Sequence, residues 1–329
     1  MIVTQTPLRI SFAGGGTDLA AYYGRNEGYV VSSAIDKFAY VIVKERFDDE
    51  IYLNYMRKEI RSDVASIEHG LIREAMRMAG VERGVEVTLL SDIPSEGSGL
   101  GSSSSFTVGL LNAFYAHRGE QVTPERLANE ACEIEIERLG KPIGKQDQYI
   151  AAYGGLRSFR FRRDGKVDVQ ALALPGNKLR ALSARLHLFF TGKTRQADVI
   201  LSEQTSRTGD RLAELDAIKA LAVALEPALA VHDFDRLGKA LHENWELKRK
   251  LASGISNEAI EAMYALARAS GALGGKICGA GGGGFLLAYC APDRQERLAK
   301  GMRDYRMLPF ALERDGSKVI FNYRREVWK

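Results

Sequence analysis

Between Ile93 and Ser105 the chain reads Ile-Pro-Ser-Glu-Gly-Ser-Gly-Leu-Gly-Ser-Ser-Ser-Ser, with glycines at 97, 99 and 101. Glycine lets backbone N–H groups crowd around a ligand with no Cβ in the way. An apolar-periodic stretch follows at once, so the segment should open a helix, whose N-terminus adds unsatisfied donors and the positive end of the macrodipole. Together these features make an anion site suited to phosphate. The serine run adds hydroxyl oxygens of the kind Mg²⁺ takes beside substrate phosphates. A flexible linker is the weaker reading, because linkers seldom join a strand to a helix so tightly.

Two carboxylates stand out further on. On a helical wheel of residues 124–139 at about 100° per residue, Glu130, Glu133 and Glu137 fall on one side, whereas Glu135 falls among Leu127, Ala128, Ala131, Cys132 and Leu139. A carboxylate on the apolar face must be paired or metal-bound, since burying it alone costs several kcal/mol, order of magnitude. A metal and a salt bridge with Arg138 or Arg9 satisfy that requirement equally well. Asp147 follows in the loop Gly144-Lys-Gln-Asp-Gln148 and could share a site with Glu135.

Two further glycine clusters are weaker alone. Pro7-Leu-Arg9-Ile-Ser-Phe-Ala-Gly14-Gly15-Gly16-Thr17-Asp18 ends a strand in glycines and a polar pair, which suits either a binding site or a tight Asx-capped turn. The run from Lys276 to Cys290 formally contains G-x-G-x-x-G, but an apolar strand rather than a helix follows it, so a dinucleotide fingerprint fails on context. Such a loop can still bring backbone close to substrate or phosphate. Gly192-Lys193-Thr194 resembles the end of a P-loop, but the earlier glycine would fall at His187, so a Walker-type site is excluded.

The elements that must position these residues follow from periodicity. Leu8, Ile10 and Phe12 alternate with Arg9 and Ser11 as in a half-buried strand that turns Arg9 away from the apolar set. Extended runs are expected at 29–44 and 85–93, and helices at 63–79 and 103–117. Thr123-Pro124 opens another helix that Gly140 closes. A turn-rich stretch at 160–177 precedes long amphipathic helices at roughly 196–206, 210–231, 234–252 and 257–270. Strand patterns return at 284–290 and, around an Asp315-Gly316 turn, at 306–323.

Bulk properties bound the function. The 329 residues favour two domains, and 45% hydrophobic with 27% charged residues is globular composition. A net charge of +4 without a basic block speaks against nucleic acid or a membrane surface but suits a small anionic ligand. Cys132, Cys278 and Cys290 show no zinc or redox spacing, and the five histidines show no ligand spacing. No leader or membrane-length apolar run is visible, so a cytoplasmic chain is expected.

In their order, these segments resemble the GHMP kinases, the superfamily of galactokinase, homoserine kinase, mevalonate kinase and phosphomevalonate kinase. The resemblance covers nearly the whole chain and is most specific at Gly99-Leu-Gly-Ser-Ser103, backed by Pro7-x-Arg9 and Gly279-Ala-Gly-Gly-Gly-Gly284. It implies an α+β fold with an N-terminal α/β domain at 1–175, a ferredoxin-like C-terminal domain at 176–329 and the active site between them. The implied chemistry is transfer of the ATP γ-phosphoryl group to an alcohol. Gly97, Gly99, Leu100, Gly101, Ser102, Ser103 and Ser104 would hold ATP, and Ser103 and Glu135 would hold Mg²⁺. Asp147 would orient or deprotonate the attacking hydroxyl, and Arg9 would stabilise charge beside it. Gly15, Gly16, Thr17, Asp18, Lys145, Gly281 and Gly282 are expected on the substrate side.

Within the superfamily, Gly14-Gly-Gly-Thr-Asp18, Ser102 to Phe106 and Gly144-Lys-Gln-Asp-Gln148 resemble the kinases of D-glycero-D-manno-heptose 7-phosphate, with the kinase part of fucokinase proteins next. Galactokinases carry Gly-Glu-His-Thr-Asp at the first of these, which speaks against galactose. The implied product is the 1,7-bisphosphate, on the route to nucleotide-activated heptose. A sugar that already bears a phosphate needs cations at its far end, and Lys145, Lys193, Arg195 and Lys37 are candidates. A kinase for another sugar such as L-fucose, and a sensor that keeps the fold without turnover, are the competing readings. A homodimer is compatible with the sequence.

Overall fold

The computed structural model describes residues 1–94, 97–194 and 197–323. The first half of the chain runs β1 (Ile2–Ala13), α1 (Ala20–Tyr23), β2 (Gly28–Glu45), β3 (Ile51–Asn54), β4 (Lys58–Arg61), α2 (Gly70–Ala79), β5 (Val85–Ser91), α3 (Ser102–Arg118), α4 (Pro124–Cys132), α5 (Gln146–Tyr153), β6 (Leu156–Phe161) and β7 (Val167–Ala171). The second runs α6 (Gly176–Ser183), β8 (Leu186–Phe190), α7 (Ala197–Ser206), α8 (Leu212–Ala230), α9 (Phe234–Lys248), α10 (Glu258–Ala269), β9 (Gly274–Ile277), β10 (Phe285–Tyr289), α11 (Gln295–Gly301), β11 (Met307–Leu308) and β12 (Lys318–Asn322). The fold is α+β, as expected.

An eight-stranded sheet has the order β12-β1-β2-β5-β3-β4, with β6 and β7 branching from β2. The branch follows from the length of β2: Gly28–Ser33 pairs with β6, and Ala39–Glu45 pairs with β5. A four-stranded antiparallel sheet has the order β11-β8-β10-β9.

Among the described residues, two of the three hydrophobic cores meet on β1. Leu8, Ile10 and Phe12 pack in one cluster with Leu188 of β8, Leu237 and Leu241 of α9 and Leu287 of β10. Its opposite face receives α3, which is buried on nearly every side. Gly109 lets α3 lie close: Thr4 Oγ1 donates to the Gly109 carbonyl at 3.0 Å, and a Cβ at Gly109 would stand 2.9 Å from Thr6 Oγ1. A helix apolar all round is a core helix, so the anion loop that opens it is held by the interior rather than by the surface.

Three expectations need correction. The helix expected over 63–79 is split into a 3₁₀ turn, Val64–Ser66, and α2. The split arises because the Glu59 carboxylate accepts from the amides of Glu68 (2.9 Å) and His69 (3.3 Å), which pulls the backbone off the helical path. The turn-rich stretch contains a β6–β7 hairpin closed by Arg162 N–H to the Lys166 carbonyl at 2.9 Å, with Gly165 at φ +83°. Finally, the strands flanking Asp315-Gly316 do not pair with each other: β11 joins β8, whereas β12 crosses back to β1.

Candidate active site

Alternation along β1 aims Arg9 and Ser11 away from the apolar cluster, and both line a cavity between the two sheets. Arg9 is the most tightly held cation there. Its Nε and Nη2 donate to Asp147 Oδ1 and Oδ2 at 2.7 and 2.6 Å, and its Nη1 donates to the Gly99 carbonyl at 2.6 Å. Burial opposes the Arg9 charge, but the Asp147 carboxylate outweighs it and holds the guanidinium above its ordinary range. A fork of this kind fixes both partners geometrically as well as electrostatically. Asp147 stands in the first turn of α5, so its position is set by a helix rather than by a free loop.

The anion loop sits against this pair. Gly101 is the N-cap of α3 at φ +80° and has no side chain with which to cap the helix, which leaves the first-turn amides available beside Ser102, Ser103 and Ser104 on the cavity wall. A Cβ at Gly101 would stand 3.2 Å from Arg9 Cγ and 3.4 Å from Asp147 Oδ2, so only glycine brings backbone this near the charged pair.

Ser103 and Glu135 meet as expected. Ser103 Oγ donates to Glu135 Oε1 at 2.7 Å, and Lys141 Nζ donates to Ser103 Oγ (2.7 Å) and to Glu135 Oε1 (3.0 Å). Gln148 Nε2 donates to the other oxygen, Glu135 Oε2, at 2.8 Å. Neither Arg138 nor Arg9 pairs with Glu135; Arg138 pairs instead with Glu133 and Glu74. A π-helical turn, Glu133–Arg138, continues α4, and Ile134 and Glu135 are both buried in it. Gly140, at φ +63°, then reverses the chain, and Lys141 N–H returns to the Glu135 carbonyl at 3.0 Å.

Asp18 forms the opposite wall. Its carboxylate accepts from Gly16 N–H at 2.9 Å and from Gln146 N–H and Nε2 at 3.3 and 3.1 Å. Burial first, and the nearby Asp147 carboxylate second, push it above the usual carboxylate range. Gly15 and Gly16 line the same wall, while Gln204 of α7 packs over Gly16.

The other expected residues lie elsewhere. Thr17 is buried and bonds the Gly14 and Tyr29 carbonyls, a turn-forming role. Leu100 is buried beneath the loop, where its carbonyl accepts from Arg9 N–H at 3.0 Å. Gly281 packs on Ile255, and Gly282 N–H donates to the Ile255 carbonyl at 2.7 Å, so neither lines the cavity. The cavity is reached instead by Gly279 and Ala280. Lys145 Nζ turns outward to the Gly165 carbonyl at 2.8 Å. Lys37 pairs with Asp36 at 3.0 Å, Lys193 is not a cavity residue, and Arg195 lies outside the described residues.

Sequence reasoning missed Lys141, Lys248 and Lys276, the cavity's lysines. Lys276 was visible only as the first residue of the third glycine segment, and Gln148 only as the neighbour of Asp147. Among the described residues no group of three or more His, Cys, Asp or Glu side chains converges as a metal cluster, and no helix is long and apolar enough to cross a membrane.

Comparison with known proteins identifies the family. Residues 65–155 match the family described as GHMP kinases N terminal domain, and residues 225–305 match GHMP kinases C terminal. A D-glycero-alpha-D-manno-heptose 7-phosphate kinase from Campylobacter jejuni is 34% identical over 92% of this chain and 93% of its own length. An L-fucokinase/L-fucose-1-P guanylyltransferase from Bacteroides fragilis is 28% identical over 90% of this chain but only 35% of its own. The crystal structure of a D-glycero-D-manno-heptose 1-phosphate kinase from Bacteroides thetaiotaomicron superposes with a TM-score of 0.83, at 26% identity, over 98% of this chain and all of that one (100%). Shared motifs, domain matches and full-length similarity lead to one conclusion: the chain belongs to the GHMP kinases.

Proposed function

We propose that this GHMP kinase phosphorylates the anomeric C1 hydroxyl of D-glycero-D-manno-heptose 7-phosphate with Mg·ATP, giving the 1,7-bisphosphate for nucleotide-activated heptose. The observation that carries the reading is the Arg9–Asp147 fork seated against Gly101 at the N-terminus of α3. It puts a hydroxyl-orienting carboxylate and a fixed cation beside a phosphate cradle.

Each residue then has a role. The first-turn amides of α3, with Ser102 to Ser104, bind ATP phosphates. The attacking hydroxyl donates to Asp147, whose bidentate partner keeps it an acceptor in one orientation. Phosphoryl transfer proceeds through a loose transition state, so positioning matters more than a strong base. Arg9 stabilises charge developing on the transferred group. Asp18 accepts hydrogen bonds from sugar hydroxyls.

The donor set fits Mg²⁺: a serine hydroxyl and a fully buried carboxylate, two hard oxygens already 2.7 Å apart, leave the remaining positions to phosphates and water. When bound, Mg²⁺ would neutralise phosphate charge, and Ser103 and Glu135 would hold it. Lys141 supplies positive charge at the same point.

As part of the proposal, the two units divide at 175/176, ahead of α6. The buried, unpaired Cys132, Cys278 and Cys290 suit a reducing cytoplasm. Homodimerisation is left for sedimentation to decide.

ADP release across heptose 7-phosphate, heptose 1-phosphate, free heptose, L-fucose and galactose tests the acceptor. The 7-phosphate should have the highest kcat/KM. A preference for unphosphorylated fucose would overturn the substrate and leave the kinase, whereas ATP binding with no turnover of any sugar would overturn catalysis.

A further inference from the structure

Three polar groups in the cavity have no role in the chemistry above. Lys276 on β9 is 2% exposed and lines the cavity, yet the only hydrogen bond of its side chain among the described residues is a long one, 3.4 Å, from Nζ to the Phe12 carbonyl. It makes no ion pair with a carboxylate among those residues, although Asp18, Arg9 and Cys278 are near enough to influence its charge. A buried ammonium with unused donors is costly unless something else meets it.

Ser11, on the cavity face of β1, is 8% exposed, and its Oγ has no partner among the described residues. Gln146 is fixed by Asp18, which takes its Nε2; the opposite atom, Oε1, is enclosed and without a partner among the described residues. Gly15 stands between them: a Cβ there would lie 3.6 Å from Gln146 Nε2 and 3.9 Å from Ser11 Oγ, and its absence keeps the space open. The wall therefore presents a donor at Lys276, acceptors at Asp18 and Gln146, and a hydroxyl at Ser11 that does either. That is a lining for a polyol, whose hydroxyls each donate and accept.

We propose that Lys276, Ser11 and Gln146 form the acceptor-orienting subsite, in which a sugar hydroxyl donates to Asp18 while accepting from Lys276, and neighbouring hydroxyls pair with Ser11 and Gln146. The inference rests on the sugar-kinase reading and adds to it the residues that select and turn the acceptor.

Lys276→Met, Ser11→Ala and Gln146→Leu test it, each by steady-state kinetics and by calorimetric binding of heptose 7-phosphate to protein holding a non-hydrolysable ATP analogue. Acceptor KM and Kd should rise about tenfold or more in each, the scale of a lost buried hydrogen bond, with KM for ATP within about twofold. Ser11→Ala removes one oxygen and serves if a larger change disturbs folding.

A pH profile separates a contact from mere structure. Burial, reinforced by Arg9, lowers Lys276 to about 8, against the opposing influence of Cys278 and Asp18. Acceptor kcat/KM should therefore fall as pH rises through about 8, and that limb should vanish in Lys276→Met. Among the described residues, the other titratable groups facing the cavity are Arg9, Asp18, Lys141, Asp147, Asp198, Lys248 and Glu135.

Unchanged acceptor Kd in all three variants overturns the subsite even if turnover is normal. Sugar binding that weakens in the variants while the unsubstituted protein turns nothing over supports the subsite and overturns the kinase reading. No binding of the sugar phosphate to the unsubstituted protein overturns both.

Discussion

The carboxylates of this site are legible in sequence to different degrees, for physical reasons. Glu135 showed itself because a charge on an apolar helical face needs a partner, and the structure supplies three: Ser103, Lys141 and Gln148. Its partners did not show themselves, since Lys141 reaches it only through the chain reversal at Gly140. Asp147 looked like an ordinary loop aspartate until the fold brought β1 and α5 together. If Ser103 and Glu135 hold the metal, Glu135→Gln should raise the Mg²⁺ concentration for half-maximal rate by about tenfold or more while KM for the acceptor stays near its original value, as a Mg²⁺ titration would show. An unchanged Mg²⁺ requirement would assign the carboxylate to structure alone.

Lys276 gives a second prediction at this scale, in stability rather than rate. Its folded pKa, about 8, lies below its ordinary value of 10.5, so between those limits the unfolded chain binds more protons and stability rises with pH. The charge penalty is complete below pH 8 and fades toward 10.5. Lys276→Met should therefore be more stable at pH 7, by on the order of 2 to 3 kcal/mol, with the advantage shrinking above pH 8 in denaturant titrations at several pH values. A constant difference across that range would contradict the buried-cation account.

At the scale of elements, the two glycine-rich loops explain each other. Gly99 and Gly279 have φ +76° and +62°, and each excludes a side chain on the other: a Cβ on Gly99 would meet the Cys278 carbonyl at 2.6 Å, and one on Gly279 would meet Gly99 Cα at 2.7 Å. Gly284 likewise packs on Ser98. Much of the third glycine run thus braces the anion loop, and of its glycines only Gly279 lines the cavity, beside Ala280 and the Lys276 side chain. The glycine spacing pointed to a ligand and not to this contact with another loop, because backbone-to-backbone packing leaves the same glycine signature. Gly279→Ala should cost about 1–2 kcal/mol from the left-handed backbone alone, and more from the clash, with KM for ATP raised severalfold. Thermal unfolding and ATP kinetics measure both; a neutral result would show that the loops are not interlocked.

Strand and helix periods recovered the longer elements with errors of a few residues, including the four long helices after residue 196, but left unnamed short ones such as β3, β4, β6, β7, β8, α1, α5, α6 and α11, whose few residues carry too little period to read. Where an expected element was wrong, a tertiary hydrogen bond overrode local pattern, as Glu59 does at the start of α2, or pairing is non-local, as with β12.

For the whole molecule, the cavity is walled by β1, α3, α5 and the Asp18 turn on one side and by α7, α9 and β9 on the other. β12 ties the end of the described chain to β1, so the first and last strands share a sheet. Ligand binding should therefore stabilise both units together. Mg·ATP at a hundredfold excess over Kd adds about 2.7 kcal/mol, and calorimetry should show one transition moving upward as a whole. A shift confined to one of two separate transitions would mean that the halves unfold independently and that nucleotide is held by one of them.

The central claim, transfer to the anomeric oxygen of heptose 7-phosphate governed by Asp147, is tested most directly by following the reaction by ³¹P NMR with wild type and Asp147→Asn. The account predicts a new phosphate ester coupled to a single anomeric proton, formed in step with ADP, and a rate about a hundredfold lower in a folded Asp147→Asn variant. ADP accompanied only by inorganic phosphate, or an Asp147→Asn protein as fast as wild type, would contradict it.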